Sequence, residues 1–384
     1  MLIVRDSQVK KLFYKEQEID KILDWNGNIV FEKESAPVMT NTIKFHTTSA
    51  VTSSQNFTVT YTDSTKYTLS YSEPSKEYTL SIPTDKTVKN IYVSSSYIDE
   101  ISVSCKIELS GNFIDSKTIR LLSCDATESK DLTQAFKNNS FVEVRNLDAS
   151  KATRMSNLFN GNKETKSIVM RNLNVSNVTN MSGMFINCSG ATTIDIANWD
   201  TSSVTDLSKA FYNCRNVKSL DLSSWNTSNV TDMGSMFGGC KSLISLDLSS
   251  FDSTNIRNME NMFSNCISLT SLDLSSWIPT RVNNMEYMFD RCNGLISLNL
   301  SGWGKLDKYC NLNYIFRDCS SLTSLDISGW DISSIQWRYL NNLFYGCKSL
   351  NTIRMVGCNS STISRINTLL SEDGIQSQVT IVTE

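Results

Sequence analysis

From Ser219 the chain falls into a fixed order of apolar and polar positions. The stretch "SLDLSSWNTSNVTDMGSMFGGCKSL" sets apolar residues at Leu220 and Leu222, at Trp225, at Val230, and then at Met233, Met236, Phe237 and Cys240. The first pair has the two-residue period of a strand, which turns Leu220 and Leu222 inward and Ser219, Asp221 and Ser223 outward. The last four fall at i, i+3, i+4 and i+7, one face of a helix. Asp232 stands just before them as a helix N-cap, and Asn180, Asp206, Asn258, Asn284 and Asn311 occupy its equivalents elsewhere. A strand, a corner and a short helix are therefore predicted within each unit.

The unit repeats about every 26 residues. "SLDLSSFDSTNIRNMENMFSNCISL" and "SLDLSSWIPTRVNNMEYMFDRCNGL" follow directly, and the phenylalanine returns at Phe185, Phe211, Phe237, Phe263, Phe289, Phe316 and Phe344, with weaker copies at Phe159 and Phe136. Strand pairs run through Ile119/Leu121, Val142/Val144, Ile168/Met170, Ile194/Ile196, Leu220/Leu222, Leu246/Leu248, Leu272/Leu274, Leu298/Leu300, Leu325/Ile327 and Ile353/Met355. This period, with Leu243-x-x-Leu246-x-Leu248 spacing, is the signature of a leucine-rich-repeat solenoid. About ten coils spaced by about 4.8 Å build a parallel β-sheet roughly 45–50 Å long. The closing "QVTIVTE" has strand character and suits a terminal cap. Three residues past each strand sits an aromatic (Trp199, Trp225, Phe251, Trp277, Trp303, Trp330), expected to stack as a ladder, with Cys124, Leu147, Leu173 and Cys358 in the same slot at the margins.

The N-terminal third has a different pattern. Residues 1–35 carry "EIDKILDWNGNIVFEK", two short apolar strands around Asn26-Gly27, a dipeptide suited to a hairpin turn. Residues 36–115 alternate apolar with Thr and Ser positions, as in Phe57/Val59/Tyr61 and Ile101/Val103/Cys105/Ile107. About six strands of a small antiparallel β domain are predicted, with an Ig-like arrangement among those that fit. The solenoid then occupies residues 116–384. The fold class is thus mixed β and α/β, a small β N-terminal region followed by the solenoid.

Composition removes several classes of function. With 36 basic against 39 acidic residues in 384, the chain has no charge excess to draw it to nucleic acid or an anionic membrane. No apolar run reaches the length of a membrane span, and the opening "MLIVRDSQVKKLFYKEQE" lacks the apolar core of a secretory signal, so membrane insertion is not expected. Eleven cysteines then point to synthesis in a reducing cytoplasm, and a lone histidine, His46, excludes most His-based triads and zinc sites. The repeated Met and Cys sulfurs read as core, because Leu207/Ala210, Leu312/Ile315 and Leu340/Leu343 replace them without loss of pattern. No metal, cofactor or catalytic residue is assigned.

One outward row carries candidate chemistry: Asp195, Asp221, Asp247, Asp273 and Asp326, with Asn299 interrupting and Arg120, Glu143 and Arg354 near the ends. Carboxylates one strand apart repel unless a cation, a hydroxyl or water screens them. The row therefore reads as a solvated polar ladder, a calcium-binding row or a ligand-facing surface, with Ser219, Asp221, Ser223, Asp195, Asp247, Asp273 and Asp326 as candidate binding residues. A glycosidase needs one distinctive carboxylate pair in differing environments, whereas this row is uniform. Sequons such as Asn177-Val178-Thr179 and Asn229-Val230-Thr231 recur with the repeat and read as turn residues.

"LDLSSWNTSNVTDMGSMFGGCKSL" and its neighbours resemble the BspA-like bacterial surface leucine-rich-repeat proteins over about residues 116–384. The resemblance implies extracellular recognition, adhesion to proteins or cells, and no catalysis. The N-terminal "VKKLFYKEQEIDKILDWNGNIVFEK", through Tyr14, Trp25, Asn26, Gly27, Val30 and Phe31, looks like modules that open many phage tail and fibre proteins. That likeness implies a virion component, which lysis releases without a signal peptide. The expected partners are a host surface protein or glycan for the solenoid, and other virion proteins or further copies of the chain, as a homo-oligomer, for the N-terminal region. A bacterial cell-surface adhesin is the alternative, and a carbohydrate-active enzyme on the repeat scaffold a third reading.

Overall fold

In a computed structural model, the chain is described from residue 41 onward, apart from residues 48–50, 52, 54, 94–97, 106, 110–117, 122–123, 139–140, 145–146 and 171–172, together with four short strands before residue 33. Two units are distinguished, Met1–Val38 and Met39–Glu384. In the first, Lys21–Leu23 pairs antiparallel with Ile29–Glu32, Ile22 facing Phe31, and Phe13–Tyr14 pairs with Gln17–Glu18. The Asn26-Gly27 turn lies outside the described residues.

The second unit opens with six strands in two antiparallel groups of three. Gln55–Tyr61 lies between Lys66–Tyr71 and Val88–Val93, while Thr42–Thr47 lies between Glu77–Ser81 and Ile98–Ser104. Phe45 stacks on Phe57 at 4.3 Å and on Tyr78 at 5.0 Å, tying the two groups together. Ile98–Ser104 also pairs parallel with Thr118–Leu121, the first strand of the solenoid, Ile101 facing Ile119. One sheet thus runs from the small β region into the repeats. The boundary drawn at 115/116 marks a change from antiparallel to parallel pairing within one continuous core.

The solenoid itself has the expected parallel sheet and about nine turns, each marked by one phenylalanine. Nine rings, Phe136 through Phe344, stack with centroids 5.3–5.9 Å apart, and all nine have no exposed surface. Strands are present at eight of the ten expected positions before the C-terminal cap. The exceptions are Leu220/Leu222 and Leu246/Leu248, where the sheet divides into two runs, although Leu220, Leu222 and Leu248 stay buried. At the C-terminus Thr380–Val382 pairs with Thr352–Arg354 as the sequence predicts. The helix Ser360–Glu372, which buries Ile366, Leu369 and Leu370, was not foreseen.

The repeated short helix is a correction. Met233, Met236, Phe237 and Cys240 are fully buried, yet residues 233–240 form linked turns, and Ser360–Glu372 is the α-helix among the described residues. Ser235 and Gly239 have φ of +57° and +75°, the left-handed region that a right-handed helix excludes. Alternate amides therefore turn outward to the next coil: those of Met233, Ser235, Phe237 and Gly239 donate to the carbonyls of Asn258, Glu260, Met262 and Ser264 at 2.6–2.9 Å. Met236, Gly238 and Cys240 close the turns by bonding three residues back, at 3.1 Å. Gly234 donates to Asp232 Oδ1, so Asp232 caps a turn, and Asn180, Asp206, Asn258, Asn284 and Asn311 do the same. Every amide from 233 to 240 is thus satisfied, as burial demands.

Most ladder side chains are hydrogen-bonded as well as packed, the buried Trp225 Nε1–H being without a partner among the described residues. Cys188, Cys214, Cys240, Cys266, Cys292, Cys319 and Cys347 each point Sγ at the carbonyl of the preceding coil's phenylalanine, at 3.0–3.2 Å. Trp199, Trp277, Trp303 and Trp330 donate Nε1–H to Met170, Leu248, Leu274 and Leu300, and Cys124 and Cys358 take over this bond in the marginal slots. The amides of Asn177, Asn229 and Asn255 bridge to the preceding coil at 2.7–2.8 Å, which accounts for the recurring sequons structurally. All eleven cysteines are free thiols.

Two outcomes follow for stability. Phe237→Ala removes one ring from a filled stack and is expected to cost about 3–5 kcal/mol in denaturant unfolding, against under about 1.5 kcal/mol for Met236→Leu. Burial pushes the Cys240 and Cys292 thiols up to about 12 from an ordinary 9.0. The folded state holds protons that the unfolded chain releases above pH 9, so this stabilisation is complete below that pH and is lost as pH rises toward 12. The melting temperature is expected to fall between pH 8.5 and 10.5, by less in a Cys240→Ala/Cys292→Ala variant.

Candidate functional site

The sequence-derived row lies where the strand period places it. Ser219, Asp221, Ser223, Asp247 and Asp273 are exposed, and Asp195 and Asp326 half-buried, outside the inward leucines. The carboxylates, however, are turned back onto their own coils. Asp221 Oδ1 accepts from the amide of Ser223 and from its hydroxyl at 2.7 Å; Asp247, Asp273 and Asp326 accept from the amides of Ser249, Ser275 and Ser328 at 2.9–3.0 Å. Backbone donation from Ser249 and Ser275 holds Asp247 and Asp273 below the usual carboxylate range. Arg354 lies 3.6 Å from Asp326. Mutual repulsion is relieved coil by coil by these donors. The side chains of Arg120 and Glu143 lie outside the described residues.

A second feature lies on the turn side of the coils, and sequence reasoning missed it. The residue after each phenylalanine runs Ile186, Tyr212, Gly238, Ser264, Asp290, Arg317: large at both ends and small in the middle. An open groove of roughly 710 Å³ crosses these coils, with Ser235, Gly239 and Ser264 in its lining. At one end Arg317 makes a two-pronged pair with buried Asp290, Nε to Oδ1 at 2.6 Å and Nη2 to Oδ2 at 3.1 Å. Its guanidinium lies 4.9 Å from the Tyr287 ring, which stacks on Tyr314 at 4.8 Å. Both tyrosines have φ near +60°, as does Arg291, in slots that neighbouring coils fill with Asn261 and Asn265. Bulky residues in this region are uncommon and mark a local departure from the repeat. That departure was the signal available in the sequence.

Among the described residues no cluster of three or more His, Cys, Asp and Glu side chains is arranged to hold a metal, and no helix is long and apolar enough to cross a membrane. A search of the curated proteins finds no match to the chain. The repeats do match a family profile, in three overlapping segments at residues 130–219, 205–309 and 273–373. Since these cover more than half of a chain whose coils, Phe stack and turn-side ladder run through the same residues, the protein belongs to the family described as "Mycoplasma protein of unknown function, DUF285".

Proposed function

We propose that the chain is a non-enzymatic recognition protein, a phage tail or fibre component whose solenoid meets a protein or glycan of the host surface. Residues 1–35 would join it to other virion proteins or to copies of itself. The uniformity of the strand face carries recognition over catalysis. A reaction needs a pair of groups held in contrasting environments, whereas Asp221, Asp247, Asp273 and Asp326 each sit in the same kind of turn with the same kind of donor. An extended, repeated polar surface is what solenoids commonly offer to macromolecular partners.

The virion placement is supported by the N-terminal sequence that resembles tail and fibre modules. A second reading, a bacterial surface adhesin, is supported by the BspA-like repeat and by a family description that names Mycoplasma. Mass spectrometry of purified particles and of surface-shaved cells separates the two: the virion reading expects this chain's peptides in particles, and recovery from shaved cells alone replaces it with the adhesin. For the face itself, Asp221→Asn with Asp247→Asn keeps the Oδ1 acceptors and removes two charges. Host-cell binding by the full chain is expected to weaken by about tenfold with unchanged melting, a difference of about 1.4 kcal/mol. Normal binding by this variant would move recognition off the strand face.

A further inference from the structure

The turn-side groove combines three features that the repeat does not require. Its rim is cationic: Lys209, Arg215 and Lys241 line it, and none of them has an ion pair among the described residues. Arg291, half-exposed, adds a fourth charge beside a loose contact to Asp318 at 3.8 Å, while Arg317 is neutralised by Asp290. Glu260 is the remaining lining carboxylate, and it already accepts from the Asn261 and Asn284 amides at 3.0 Å. The local excess of positive charge stands out in a chain whose net charge is -3.

The walls and floor narrow the ligand further. Tyr212 and Tyr287 flank the groove, and the amides of Asn213 and Asn265 line it beside Ser264. Aromatic faces, amides and hydroxyls together suit a hydroxyl-rich ring more than an apolar or a purely ionic ligand. The lining runs from Ile186 to Arg317, across six successive coils, so at about 4.8 Å per coil it is about 24 Å long. A chain fits such a length better than a single small molecule.

We propose that this groove binds a linear anionic glycan, with carboxylate or sulfate groups on the Lys209, Arg215, Lys241 and Arg291 rim and sugar rings between Tyr212 and Tyr287. The site is separate from the strand face, since none of the row's aspartates lines it, and it holds whether the chain serves a virion or a cell surface. Tyr287 and Arg291 hold a left-handed backbone in slots where asparagine would be the easier residue, as Tyr314 does outside the groove lining.

The test uses the full chain and two probes, a heparin oligosaccharide for sulfate and an oligogalacturonate for carboxylate, in calorimetric titrations. Saturable binding of at least one is expected, weakening as salt rises because the cations are exposed. Lys209→Asn/Arg215→Ser/Lys241→Ser uses residues that sister coils hold at the same slots (Asn261, Ser189, Ser320) and is expected to lower affinity at least about tenfold without lowering the melting temperature. Tyr287→Asn, which relieves the backbone and removes the stack on Tyr314, is expected to lower affinity with the chain still folded. The proposal is overturned if neither probe binds, if both variants bind as the parent does, or if a single-stranded oligonucleotide of equal charge binds as tightly, which would make the groove a general polyanion surface.

Discussion

The structure rests on where the turn-side amides go. A helix would use each N–H within its own segment, four residues back. Here left-handed residues four apart, such as Ser235 and Gly239, swing every second amide out of the coil and into the next. That one redirection converts an autonomous element into a rung of a ladder, and the rung spacing then fixes everything stacked upon it. Phenylalanines fall at stacking distance, cysteine thiols reach the carbonyl of the coil before, and Asp232, Asn258 and their equivalents line up as consecutive parallel bridges. Where the strand-side ladder lapses, between Leu220 and Leu248, the turn-side ladder continues through the same coils and keeps the solenoid joined.

The same constraint sorts the surface. Most positions that serve the ladder carry Asn, Asp, Ser or Gly, with Lys209, Tyr287, Arg291 and Tyr314 as departures that keep the same backbone bonds. The strand-face aspartates belong partly to this class, since one oxygen of each closes a turn. Positions next to the ladder vary more, and Tyr212, Ser264, Asp290 and Arg317 of one such row line the groove, with Gly238 beside the Tyr212 ring.

Much of the fold was legible in the sequence because its period is strict. The inward positions Leu220, Leu222, Trp225, Met233, Met236, Phe237 and Cys240 are all buried, and the marginal Cys124 and Cys358 do fill the tryptophan slot. The period suggested a helix because three linked four-residue turns bury i, i+3, i+4 and i+7 just as a helix does. Hydrophobic period alone cannot separate them. The contrary signal lay in residues that tolerate positive φ, set four apart: Gly183 and Asn187, Asn261 and Asn265. The candidate row was legible as a row, but its hydrogen bonds were not, because the Asx turn that ties Asp221 to Ser223 depends on backbone geometry rather than on residue type. The groove depended on relief between neighbouring coils, which appears only when the repeats are aligned position by position.

Native-state hydrogen exchange measures the redirected amides most directly, since it reports the opening free energy of each hydrogen bond. The amides of Met233, Ser235, Phe237 and Gly239 are predicted to be as strongly protected as those of Leu274 and Leu300 on the strand side, and more strongly than those of Leu220, Leu222 and Leu248, where the sheet divides. Strong protection at Leu222 and Leu248 together with fast exchange at Ser235 and Gly239 would contradict the account: the strand side would then carry the solenoid, and the turn-side ladder would be an accessory to it.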